Sequence, residues 1–106
     1  LAPVTSRLQV GVAMVVGLCT MELFLGEADS LKGKRRILKS MLDRVKAHHN
    51  VSIAEVGQQD LWQRSTIAFA CVSNERNHAY QVLNSVIRFL ERQKQSQVID
   101  YNIEII

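Results

Sequence analysis

Apolar and polar residues alternate in two stretches of the chain, one near its beginning and one at its end, and this period of two predicts strands with one buried face. In the first stretch, residues 15–25, the side chains of Cys19, Met21 and Leu23 share one parity. The last stretch covers residues 99–105. There Ile99, Tyr101, Ile103 and Ile105 take one parity, and Asp100, Asn102 and Glu104 take the other.

Two longer stretches repeat their apolar residues at helical spacings of three, four and seven, which predicts amphipathic helices. The first runs from about Leu31 to His48 and begins after Ser30, a good N-cap residue. The second begins after Asn74, which we expect to be its N-cap. Its apolar stripe consists of Ala79, Val82, Leu83, Val86, Ile87 and Leu90.

Two further strands are predicted between the helices, at residues 51–56 and 65–73. The second is so rich in apolar side chains that we place it in the interior of the sheet. The order strand, helix, strand, strand, helix, strand predicts an α+β, ferredoxin-like split βαβ fold (βαββαβ). It has a four-stranded antiparallel sheet with two helices on one face, and the polar residues of the terminal strands make the open face acidic.

Composition is typical of one globular domain, with 106 residues, 47% hydrophobic and 22% charged. Cys19 and Cys71 lie in apolar stretches, so we expect buried, reduced thiols rather than a disulfide. The apolar run over residues 8–25 is interrupted by Gln9 and Glu22, which does not favour a membrane span. We therefore expect a cytoplasmic protein with no membrane contact.

Positive charge is concentrated in the first helix. Although the formal net charge is only +3, seven of the thirteen Lys and Arg residues lie between Lys32 and Lys46, where Asp43 is the only acid. At about 100° per residue, most of these cations fall opposite the apolar stripe and form a row suited to phosphate contacts. The candidate nucleic-acid-binding residues are Lys32, Lys34, Arg35, Arg36, Lys39 and Lys46. The alternative is an ordinary solvated helix face.

The only tryptophan of the chain, Trp62, lies in a polar connection between the second and third strands. Because Trp is favoured at binding hot spots, we consider Leu61, Trp62 and Arg64 as candidate partner-binding residues. The alternative is that the ring folds back over the core, with its N–H bonded to a nearby carbonyl.

No arrangement of residues predicts an enzyme. His48 and His49 are adjacent, so on a helix their side chains diverge too far to chelate one metal ion, and His78 is isolated. The stretch GEADSLKGKR approaches a phosphate-binding loop, but six residues rather than four separate its glycines. We therefore expect no catalytic residues, no metal and no cofactor, and we identify no small-molecule substrate.

Five stretches resemble, in the same order, the YlxP-like family of small bacterial proteins: MVVGLCTMELFL, SLKGKRRILKS, VSIAEVGQQDLWQR, ACVSN and VIDYNIEI. The resemblance covers residues 14–106 as a single domain. It leaves residues 1–13 as an N-terminal extension or a cloning remnant, which could also lengthen the first strand. The family implies a ferredoxin-like fold, no catalytic residues, and genes commonly found near those for translation and ribosome-maturation factors.

Two functions from different classes follow. The first is a non-enzymatic module that binds RNA or a ribosomal particle through the basic first helix. The second is a protein-interaction or scaffolding domain that self-associates, for example as a homodimer, by an edge strand or the open sheet face. RNA binding on the sheet itself is disfavoured, because the central strands offer no exposed aromatic residues for base stacking.

Overall fold

The structure is a computed structural model that describes residues 12–106, in which a four-stranded antiparallel sheet carries two helices on one face. The elements are β1 (Val15–Phe24), α1 (Leu31–His48), β2 (Ser52–Gly57), β3 (Arg64–Ser73), α2 (Arg76–Glu91) and β4 (Gln97–Ile105). Across the sheet the strand order is β2-β3-β1-β4, with β1 and β3 central. The predicted βαββαβ, ferredoxin-like fold is confirmed.

The N-terminal extension falls mostly on residues 1–11, which lie outside the described residues. Residues 12–14 precede β1 without regular secondary structure. No helix among residues 12–106 is long and apolar enough to cross a membrane.

The core lies between the helices and the sheet. One parity of each central strand supplies it, with Met21 and Leu23 from β1 and Ile67 and Phe69 from β3 all buried. From α2 the buried residues are Ala79, Leu83, Val86, Ile87 and Leu90. Both cysteines are free and buried, as predicted, and burial raises the pKa of the Cys19 thiol to about 11.

The two helices begin differently. Ser30 is the N-cap of α1, as predicted, and its side chain accepts a hydrogen bond from the backbone N–H of Gly33 at 3.0 Å. The N-cap of α2 is Glu75 rather than Asn74, and no side chain caps it. Instead, the backbone N–H of Glu75 donates to the hydroxyl of Ser73 at 3.1 Å, so Ser73 shapes the turn into α2.

β4 departs from the uninterrupted alternation that the sequence suggested. Glu22 of β1 pairs with Asp100, but the neighbouring Leu23 pairs with Val98, so Ile99 is the extra residue of a β-bulge. Val98 therefore packs against the core, while Ile99 remains 46% exposed. The predicted core position of Ile99 is wrong because Ile99 is the unpaired residue of the bulge, and Val98 takes the core position beside Leu23.

Candidate nucleic-acid-binding surface

The outer side of α1 carries a continuous row of cations. We call this the basic surface, and it consists of Lys32, Arg35, Arg36, Lys39 and Lys46, all exposed. At 1.5 Å of rise per residue, its ends lie about 21 Å apart along the helix axis. The row exists because Leu38, Met41 and Val45 are buried on the opposite side of the same helix.

Most of these cations have no anionic partner. Among residues 12–106, only Lys39 of the basic surface forms an ion pair, with its Nζ 2.6 Å from Oδ2 of Asp43. This hydrogen bond lowers the pKa of the Asp43 carboxyl. Because the pair is exposed, it contributes little to stability and leaves Lys39 available to exchange partners. The remaining positive charges face solvent.

Lys34 does not belong to this surface, which corrects the prediction. Its side chain is fully buried, at 0% exposure, and Nζ lies 2.9 Å from Oε2 of Glu55. Nζ also donates hydrogen bonds to the carbonyl oxygens of Gln58 at 2.7 Å and Gln59 at 3.4 Å. The sequence contained a signal for this position: Lys34 precedes Leu38 by four residues and Met41 by seven, so it lies on the apolar stripe.

The turn between β2 and β3 forms hydrogen bonds with side chains from three other elements, α1, β1 and β3. Gln58 adopts a left-handed backbone conformation with φ of 58°, which is uncommon for a residue with a side chain. Its Nε2 donates to Oε2 of Glu22 at 2.6 Å and to Oγ1 of Thr66 at 2.9 Å. Hydrogen bonds from Thr66, Gln58 and Arg64 lower the pKa of Glu22. Hydrogen bonds through Lys34 and Gln58 thus connect this turn to α1, β1 and β3.

The candidate partner-binding residues separate into two places. Leu61 and Trp62 lie in the turn between β2 and β3. They are 48% and 54% exposed, so the Trp62 ring does not fold over the core. Arg64 lies at the start of β3 on the open face, with its Nη2 3.2 Å from Oε2 of Glu22. Its charge is therefore partly neutralised. Binding of a partner by Leu61 and Trp62 stays a prediction.

The structure also brings His78, which is isolated in the sequence, close to the adjacent residues His48 and His49. His48, His49 and His78 line a groove of about 440 Å³ between the end of α1 and the start of α2. The rings of His48 and His49 lie 6.2 and 5.6 Å from that of Phe89, and burial lowers the pKa of His49. Within the part of the chain that the structure describes, no three His, Cys, Asp or Glu side chains are arranged to hold a metal ion.

The open face of the sheet has a different character at each end. Near β4 the open face is acidic, as expected, because Glu22 of β1 lies opposite Asp100 of β4 in the strand register and Leu18 lies opposite Glu104. We call Glu22, Asp100 and Glu104 the acidic strip. At the far end of β1 and β3 the open face is apolar, and Val72 there is 72% exposed. The acidic strip and the basic surface therefore lie on opposite faces of the molecule.

Comparisons with known proteins identify relatives but no activity. A family model described as "Protein of unknown function (DUF503)" matches residues 16–103. The chain is 40% identical over 77 residues to "Uncharacterized protein YlxP" of Bacillus subtilis (strain 168), covering 73% of this chain and 84% of that protein. Among solved structures, "De novo designed protein Foldit4" matches with a TM-score of 0.50 and 15% identity, over 88% of this chain and 96% of that one. At this identity the likeness shows the fold alone.

Proposed function

Because the chain belongs to the DUF503 family of proteins of unknown function, its role has to be inferred from its own surface, and we propose that it binds RNA, alone or in a ribosomal particle, through the basic surface of α1. Membership of this family, together with the YlxP relative, confirms the resemblance read from the sequence. We further propose that the protein acts in the cytoplasm as a non-enzymatic module.

One observation carries the RNA proposal: the four cations of the basic surface other than Lys39 have no ion-pair partner among residues 12–106. Unpaired cations in a row can each neutralise a phosphate and release the counterions condensed on it, which is the main source of sequence-independent affinity for nucleic acids. The acidic strip of the sheet would repel RNA, so it favours approach from the helix side. The gene neighbourhood implied by the family resemblance agrees with an RNA target.

A matched pair of charge-removal variants tests the proposal. Replacing Lys32, Arg35, Arg36 and Lys39 by glutamine should weaken binding to a labelled RNA duplex by at least about a hundredfold, because four phosphate contacts are lost. The control variant removes the same number of charges from α2 and the loop after it, by glutamine at Arg76, Arg88, Arg92 and Lys94, all of which are exposed.

The control variant should retain most of the affinity, and both variants should unfold at nearly the wild-type denaturant concentration, because the replaced side chains are exposed. Equal loss of RNA affinity in both variants would show that the affinity depends on the net charge of the protein and not on the position of the cations on α1. Unchanged affinity in the first variant would eliminate the proposal.

A second candidate function, self-association, is favoured by the apolar end of the open face. Val72 is 72% exposed there, and Val16 and Leu18 of β1 lie on the same face only partly covered. Pairing of two such patches would bury apolar surface on both copies. Light scattering after size exclusion should then report a dimer at high micromolar concentration in both low and high salt. A strict monomer in both conditions would remove this candidate.

A further inference from the structure

α1 overhangs one edge of the sheet. Its contacts with the sheet are made to β2, which is the edge strand on that side. A helix with its side chains is about 10 Å wide, whereas neighbouring strands are about 4.8 Å apart. Because α1 contacts this edge strand, the outer side of the helix lies above the free edge of β2.

A groove of about 400 Å³ lies between this outer side of α1 and β2. It is lined by the apolar side chains of Leu38 and Leu42, by the cations Arg35, Lys39 and Lys46, by Asp43, which pairs with Lys39, and by Glu55 of β2. The groove thus combines an apolar surface with positive charge.

The backbone edge beside the groove is open. Among residues 12–106, β2 pairs only with β3, so the N–H and C=O groups on its other edge have no strand partner. Natural edge strands are often protected by proline or lysine, and the sequence SIAEVG contains neither. A bulge between Glu55 and Gly57 limits the regular edge to residues 52–55.

We propose that the edge of β2 accepts an extended acidic segment of a partner protein as a fifth strand, with its alternate side chains in the groove beneath α1. Strand addition of this kind takes affinity from main-chain hydrogen bonds and specificity from the pockets that receive alternate side chains. The proposal goes beyond RNA binding and does not require it. Both ligands would contact Arg35, Lys39 and Lys46, so they would compete.

The charges at the groove favour an acidic occupant. Arg35 and Lys46 have no ion-pair partner within the described residues. The Glu55 carboxylate is already engaged, since Oε2 lies 2.9 Å from Nζ of Lys34 and accepts a hydrogen bond from Ser65 at 2.7 Å. The other carboxylate of the groove, Asp43, pairs with Lys39, so a basic segment would face the unpaired cations Arg35 and Lys46 and no carboxylate without a cation. A second copy pairing through its own β2 would bring two basic surfaces together, which also disfavours that occupant.

The test uses the full chain and a synthetic probe, acetyl-Glu-Val-Glu-Val-Glu-Val-Glu-amide, followed by amide chemical shifts and amide hydrogen exchange. We expect saturable shifts at residues 52–55 and along α1, and slower exchange of the β2 amides. A peptide with Lys in place of every Glu should bind at least about tenfold more weakly, because it places like charges together. A peptide with Pro in place of two Val residues should lose binding, because it cannot complete a strand ladder.

Arg35→Glu and Arg36→Glu form a matched pair that separates this proposal from RNA binding. Arg35 lines the groove and Arg36 does not, although both belong to the basic surface. Both variants should weaken binding of the RNA duplex, whereas only Arg35→Glu should weaken binding of the acidic peptide. If neither variant weakened RNA binding while Arg35→Glu alone weakened peptide binding, only the RNA proposal would be eliminated.

Several results would overturn the inference. They are an acidic peptide that produces no saturable shifts, a proline peptide that binds equally well, and equal loss of peptide binding in Arg35→Glu and Arg36→Glu. Shifts of residues 52–55 that depend on protein concentration without peptide would assign the edge to a second copy, and would overturn it too.

Discussion

Lys34→Met is expected to lower the free energy of unfolding by about 3–5 kcal/mol, the range found when one partner of a buried ion pair is removed. Methionine keeps the length of the side chain but leaves the Glu55 carboxylate, which is largely buried, without its cation. The carbonyl oxygens of Gln58 and Gln59 lose their hydrogen bonds at the same time. Urea denaturation followed by far-UV circular dichroism measures the change.

Two variants control for this result. Lys32→Met changes an exposed lysine in the same helical turn and should alter stability by no more than about 0.5 kcal/mol. Adding Glu55→Gln to Lys34→Met removes the uncompensated charge and should restore part of the loss. Equal, small losses for Lys34→Met and Lys32→Met would show that the buried pair does not hold the turn.

RNA affinity is expected to fall about 500-fold when monovalent salt rises from 50 to 200 mM, if all five cations of the basic surface contact phosphates of a duplex. The slope of log K against log salt would be about −4.5, since each phosphate contributes about −0.9. Fluorescence anisotropy of a labelled duplex at several salt concentrations gives this slope.

The variant with glutamine at Lys32, Arg35, Arg36 and Lys39 retains only Lys46 of the basic surface, so its slope should fall to about −1. The α2 control variant should keep a slope near the wild-type value. A wild-type slope near zero would mean that binding, if observed, does not involve the phosphates.

The element order and the basic side of α1 were predictable because each rests on periodicity within a short stretch of sequence. Leu38, Met41 and Val45 repeat at helical spacings, and this repeat determines which neighbours are exposed. The alternation along β1 likewise identified Met21 and Leu23 as core residues. Local pattern was sufficient in both cases.

The failures came where a distant partner decides the outcome. Lys34 is buried because Glu55 and the turn at Gln58 receive its ammonium group, and a lysine without those partners would avoid the core. The bulge at Ile99 depends on how β4 pairs with β1, which the alternation of β4 alone does not reveal. The groove lined by His48, His49 and His78 likewise depends on how the two helices pack.

Cations on the α1 side and carboxylates such as Asp100 and Glu104 on the uncovered sheet give the molecule an electric dipole in addition to its small net charge of +3. In the field of a polyanion such a dipole experiences a torque before any contact forms. The protein would rotate during its diffusional approach, so that α1 faces the polyanion when the two meet. Orientation on encounter is thus set by charge separation rather than by total charge.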